Sequence, residues 1–121
     1  MSKPTLLIVD DSRMSRLMIS KFISELRPDW EIQEAASGDE AVDKVDQEIP
    51  ALISMDMNMP GITGLEAASL IQAKHPDIKI VICTANVQGA MRDSTARAGF
   101  SFVEKPITHD SVSRIISFFE E

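Results

Sequence analysis

Short apolar runs alternate along this chain with longer segments in which apolar residues recur every three or four positions. Residues 5–9 (TLLIV), 31–35 (EIQEA), 51–55 (ALISM), 78–84 (IKIVICT) and 100–104 (FSFVE) read as strands, the fourth being the most apolar. Helices are predicted over 13–26, from Ser37-Gly38-Asp39 up to Pro50, over 65–75, over 89–99 and over 111–121. Arg27-Pro28, Pro50, Pro76, Gly99 and Lys105-Pro106 punctuate the boundaries. In the first helix, Met14, Leu17, Met18, Phe22 and Leu26 have helical spacing, so Met14 and Met18 are expected in the core. Met55 reads as strand core, Met57 and Met59 as partly exposed, and only one of the adjacent Phe118 and Phe119 can face the core fully.

Five strands alternating with five helices predict an α/β fold, a parallel sheet joined by right-handed crossovers and covered on both faces. The five units occupy all of residues 1–121, so one domain with no output domain is expected. At 44% hydrophobic and 26% charged residues, the composition is that of an ordinary globular domain. No apolar run approaches the ~20 residues of a membrane span, and no signal-peptide pattern is present. Cys83 is the single cysteine and lies in the most apolar strand, which predicts an inert buried thiol and a reducing, cytoplasmic setting. The net charge of −7 argues against nucleic-acid binding. The acidic segment 38–48 and the basic residues Arg13, Arg16, Lys21 and Arg27 of the first helix read as solvated faces.

The strand ends are where chemistry gathers. Asp10 and Asp11 follow the first strand, Asp56 the third, Thr84 closes the fourth and Lys105 follows the fifth. In a parallel sheet these ends share one edge, where doubly wound folds bind ligands. At ~4 Å and an effective dielectric near 20, each pair of like charges costs about 4 kcal/mol, so three carboxylates there require protons or a cation. Oxygen ligands without His or Cys suit a hard ion, and a few carboxylates with water suit Mg2+. A metal, a lysine, a threonine and a nucleophilic carboxylate equip a site for phosphoryl transfer. Which Asp is the nucleophile stays open on this reasoning, although Asp56 is favoured by its place on the middle strand.

The motifs VDDS (9–12), MDMNMPGITGLE (55–66), TA (84–85) and EKP (104–106) together resemble those of receiver domains of two-component response regulators, stand-alone chemotaxis-type (CheY-like) ones most closely. The resemblance spans essentially the whole chain and implies a flavodoxin-like sheet of order 2-1-3-4-5. It implies that Asp56 accepts a phosphoryl group from a histidine kinase or histidine phosphotransfer protein. Asp11, Asp56 and the backbone carbonyl of Asn58 would hold Mg2+ directly, and Asp10 would act through a coordinated water. Lys105 would pair with a phosphoryl oxygen, and the Lys105-Pro106 bond would be cis. Thr84 and Phe102 would be the switch pair; Phe102 lacks the hydroxyl of the tyrosine found in many relatives. Pro60, Gly61 and Gly64 would shape the loop after Asp56. Asn58 and Asn86 would flank the hydrolytic water and set the phosphoryl lifetime.

By the same resemblance, the face built from 89–99, 100–104 and 111–121 would signal to a downstream protein of unknown identity. The role is either a diffusible chemotaxis-like effector or a phosphorelay shuttle. A monomer is expected, with dimerisation on phosphorylation as the alternative. The competing class is a Mg2+-dependent phosphohydrolase working through an aspartyl-phosphate on free substrates. Its D-x-D signature fails here, because Asp10 and Asp11 are adjacent and residue 12 is Ser.

Overall fold

The computed structural model describes residues 4–85 and 100–120. In chain order these form β1 (Thr5–Val9), α1 (Arg13–Leu26), β2 (Glu31–Ala35), α2 (Gly38–Gln47), β3 (Leu52–Asp56), α3 (Gly64–Lys74), β4 (Lys79–Thr84), β5 (Ser101–Glu104) and α4 (His109–Phe119). The helix predicted over 89–99 lies outside the described residues. The five strands make one parallel sheet in the order β2-β1-β3-β4-β5, as expected.

Each described helix starts at a side chain that satisfies free backbone N–H groups. Ser12 and Ser37 cap α1 and α2 by accepting from the N–H of Ser15 and Glu40. Thr63 with Glu66, and Thr108 with Ser111, form reciprocal capping boxes that open α3 and α4. These caps move the start of α4 to His109, two residues ahead of the position read from hydrophobic periodicity.

Alternation along the buried strands feeds two cores. Leu7, Val9, Ile53, Met55, Ile80 and Ile82 pack with Ala41, Val45, Ala67 and Ile71 beneath α2 and α3. Leu6, Ile8, Leu52, Val81, Cys83 and Val103 pack with Ile19, Ile23, Val112, Ile115 and Ile116 beneath α1 and α4. Every residue of β3 is buried, so the middle strand is fixed from both sides.

Two expectations about methionines are overturned. Met14, Leu17 and Met18 are exposed, Met14 by 65%, while Ile19 and Ile23 are the buried residues of α1. The helix carries two apolar rows on opposite faces, and the row Ile19, Ile23 and Leu26 is the one turned to the sheet. Met57 is buried, because its N–H donates to the Cys83 carbonyl at 2.9 Å and carries strand pairing one residue past Asp56. Alternation then turns Met57 away from the Asp56 side and into the α2–α3 core. Met59 is half-buried; Phe119 is in the core and Phe118 half-buried beside it.

The acidic helix α2 does present Asp39, Asp43 and Asp46 to solvent. The basic face of α1 is less uniform than expected. Arg16 turns inward, and Arg27 makes a two-pronged ion pair with Glu120 at 2.7 and 2.8 Å, tying the end of α1 to the end of α4. His75 caps the end of α3 with Nε2 at 3.3 Å from Asp46, and His109 lies edge-on to Phe22; both are remote from the strand-end carboxylates in their contacts.

Candidate functional site

Three carboxylates and one lysine meet at the C-terminal edge of the sheet. Asp10 follows β1 directly, Asp56 closes β3, and Lys105 follows β5. Asp10 and Asp56 are buried and Asp11 is exposed, yet all three offer oxygens within 4.8 Å of one another. The Lys105 ammonium stands 3.0 Å from Asp10 Oδ2 and 3.3 Å from Asp56 Oδ1. Its position is fixed through the main chain as well, since the Lys105 N–H donates to the Thr84 carbonyl at 2.8 Å. The Lys105-Pro106 peptide is cis.

The residues around Asp10 hold it on every side. Its N–H donates to the Ala35 carbonyl at 3.1 Å, which continues the β1–β2 ladder. Its Oδ1 accepts the Ser12 N–H at 2.8 Å, an Asx turn that leads into α1. Its carbonyl accepts from the Arg16 guanidinium at 2.6 Å. Asp56 is placed by the buried middle strand, in register with Cys83 of β4. The loop that follows turns at Gly61, whose φ of 86° favours glycine, and returns so closely that Gly64 donates its N–H to the Met57 carbonyl at 2.9 Å.

Burial pushes the Asp56 carboxyl up to about 6, with the charge of Asp10 and more weakly that of Asp11 adding to it, against the pull of Lys105. Burial pulls the Lys105 ammonium down, but its hydrogen bond to Asp10 and the charges of Asp56 and Asp10 outweigh this and leave it raised. Under the pocket, burial pushes the Cys83 thiol up to about 11, and its Sγ lies 3.4 Å from the Ser54 hydroxyl. Cys83 is the inert thiol expected.

Three carboxylates against one ammonium leave two negative charges uncompensated when all are ionised. The donor set is all oxygen, partly open through Asp11, and therefore fits a small divalent ion better than a soft one. Thr84 closes the neighbouring strand and is buried. Phe102 is half-buried on the α2–α3 side of the sheet; it is in register with Ile82, two residues before Thr84, so both switch candidates lie on one sheet face. Asn58 is exposed two residues beyond Asp56, and Asn86 lies outside the described residues.

Sequence reasoning missed Ser12 and Arg16. Ser12 carried a legible sign, a capping residue placed between the Asp pair and a helix. Arg16 carried none, because a cation one turn into a helix reads as solvated unless its partners are known.

The doubly wound parallel sheet and the acidic cluster at its strand ends are shared with known proteins. Residues 6–117 match the family of the response regulator receiver domain. The chemotaxis protein CheY of Listeria monocytogenes is 38% identical over 109 residues, covering 88% of this chain and 90% of that one. The CheY of Thermotoga maritima is 36% identical over 102 residues, covering 83% of each. Among solved structures, the chemotaxis protein CheY4 of Vibrio cholerae superimposes with a TM-score of 0.85 at 24% identity, covering 95% of this chain and 97% of that one. This chain belongs to the response regulator receiver family and is a CheY-like receiver domain of two-component signalling.

Proposed function

We propose that the domain is a phosphorylation-controlled switch whose acceptor is Asp56. The observation that carries this reading is the lysine-bridged carboxylate pair, Asp10 and Asp56, beside the exposed carboxylate of Asp11. Both oxygens of Asp10 are engaged, one by Ser12 and one by Lys105, which makes it the poorer nucleophile. Asp56 is the buried carboxylate with an oxygen to offer.

In the reaction inferred, an Asp56 oxygen attacks the phosphorus of a phosphohistidine on a histidine kinase or phosphotransfer protein. The new P–O bond forms as the P–N bond breaks, and the imidazole nitrogen keeps the electron pair. Mg2+ held by Asp11, Asp56 and the Asn58 carbonyl, with Asp10 acting through a water, would supply neutralising charge to the phosphoryl oxygens. Lys105 supplies the second positive group and Thr84 a hydroxyl to donate to the phosphoryl group. The phosphorylated acceptor carries more negative charge and strong acceptor oxygens, which bias Thr84, Phe102 and the adjoining face toward a second state read by a downstream protein.

The exposed Met14, Leu17 and Met18 of α1, the helix that follows Asp10 and Asp11, suit with Arg13 and Lys21 a docking partner that is apolar at its centre and acidic at its rim. An effector and a relay shuttle would both use such a face, and phosphoryl lifetime separates them. Asn58 and Asn86 are the positions proposed to set that lifetime.

The test is intact mass after incubation with Mg2+ and acetyl phosphate, wild type beside Asp56→Asn. A Mg2+-dependent gain of one phosphoryl group, absent in the variant, is the expected result. No gain in quenched wild-type samples overturns the acceptor role. Multiple turnover of a generic phosphate ester would instead favour the phosphohydrolase alternative.

A further inference from the structure

We propose that Arg16, braced by Glu34, is a positioning residue that orients Asp11 for the metal; the inference rests on the metal reading of the acidic pocket given above. Asp11 is exposed, and its side chain makes no hydrogen bond or ion pair among the described residues. Its direction is therefore set by its backbone alone. Among the described residues, the side chain that holds the peptide joining Asp10 to Asp11 is the Arg16 guanidinium, which donates to the Asp10 carbonyl at 2.6 Å. The same guanidinium donates through Nε to Glu34 Oε1 at 2.9 Å.

This contact is built rather than incidental. The Arg16 side chain is only 15% exposed, in contrast to Arg13 on the same helix, which is exposed. Glu34 sits next to the last residue of edge strand β2 and is itself secured, because Lys44 of α2 donates to its carbonyl and pairs with Glu40 at 3.4 Å. Glu40 in turn accepts the Ala36 N–H at 2.6 Å. The chain of contacts runs from α2 through the end of β2 to the loop that carries Asp10 and Asp11. A planar fork that spans a carbonyl and a carboxylate fixes an angle as well as a distance, which a lysine ammonium does not. Groups behind a metal ligand commonly control affinity in this way.

Charge and geometry make opposite predictions, so the role can be isolated. A cation near an acidic metal site repels the metal, and its removal by charge alone should tighten binding. Loss of a positioning contact should weaken it.

The experiment is Mg2+ titration of metal-free protein by calorimetry at fixed ionic strength, for wild type, Arg16→Ala, Arg16→Lys, Glu34→Gln and Arg13→Ala. Thermal melts without metal run in parallel, with amide NMR shifts of Asp11 and Ser12. Arg16→Ala is expected to weaken Mg2+ binding roughly tenfold, with Asp11 and Ser12 shifted before any metal is added. Arg16→Lys is expected to restore the melt but only part of the affinity, and Glu34→Gln to give an intermediate loss. Arg13→Ala, the same charge change without the contact, is expected to leave affinity unchanged or slightly tighter. If Arg16→Ala does not fold, Arg16→Lys and Glu34→Gln decide. Variants of Arg16 and Glu34 that bind Mg2+ as tightly as wild type, or more tightly, overturn the proposal and leave Arg16 a tether between α1 and β2. Wild type that takes no Mg2+ overturns the metal reading itself, and the proposal with it.

Discussion

Lys105 lies closer to Asp10, at 3.0 Å, than to Asp56, at 3.3 Å. The lysine is thus anchored on the fully buried carboxylate and reaches from it toward the proposed acceptor. Among the described residues, Lys105→Ala would leave the buried Asp10 carboxylate with the Ser12 N–H alone to satisfy its charge, and would remove the ammonium that bridges Asp10 and Asp56. The expected outcome is a fall of roughly two to three orders of magnitude in the rate of phosphoryl uptake from acetyl phosphate. Metal-free stability should fall by about 3 kcal/mol, with part regained on adding Mg2+. An unchanged uptake rate by mass spectrometry would remove Lys105 from the mechanism.

The pH behaviour of Asp56 has a definite sign. Its carboxyl titrates near 4 in an unfolded chain but at about 6 in the folded, metal-free protein. Between those values the folded state binds more protons, so this group's contribution to stability declines as pH rises through the window. Asp56→Asn should therefore be more stable than wild type above about pH 6, by roughly 2 kcal/mol. The gap should close below about pH 4 and shrink when Mg2+ is added. Urea titrations across this range check it, and a gap independent of pH would rule the explanation out.

Gly64 and Gly38 separate rigid from yielding contacts. A Cβ on Gly64 would collide with the Asp56 carbonyl oxygen and lie 2.9 Å from Met57 Cα, both parts of the main chain. A Cβ on Gly38 would meet side chains instead, 2.7 Å from Ile62 Cγ1, which can rotate away, and 3.1 Å from Ala67 Cβ, which must give by a small shift of α3. Gly64→Ala is expected to cost about 3 kcal/mol and to impair phosphorylation, and Gly38→Ala about 1 kcal/mol with phosphorylation retained. Equal costs in chemical denaturation would contradict the distinction.

The two faces of α1 should answer differently to truncation. Ile19→Ala or Ile23→Ala should lose about 2–5 kcal/mol, whereas Met14→Ala or Leu17→Ala should stay within about 0.5 kcal/mol of wild type. If the exposed face docks the phosphodonor protein, the same surface changes should slow transfer from a phosphorylated kinase or phosphotransfer domain and leave uptake from acetyl phosphate unaltered. Slowing with both donors would place the defect in the pocket rather than in docking.

These contrasts also mark what periodicity can reveal. The meeting of Asp10, Asp11, Asp56 and Lys105 was legible because strands in a parallel sheet share one direction, so residues at their ends must share an edge; the order of the strands came from the family resemblance instead. The inner face of α1 was not, because Met14, Leu17 and Met18 fit a helical stripe as well as Ile19 and Ile23 do. Only packing against the sheet, together with the pull of Arg16 on the Asp10 carbonyl, chooses between the stripes. Met57 was misjudged for a related reason. Its burial follows from one hydrogen bond to Cys83, a pairing between residues with no visible link in sequence.

The contact between Lys105 and Asp10 joins residues 95 positions apart. Between them stand the middle strands that must be inserted before either side chain can reach the other. A nascent chain emerging from the ribosome carries its Asp10–Asp11 pair before β3 and β4, and Lys105 only after both. No incomplete sheet can therefore assemble the pocket, and under the proposed function uptake of a phosphoryl group would report that synthesis and folding have both reached β5.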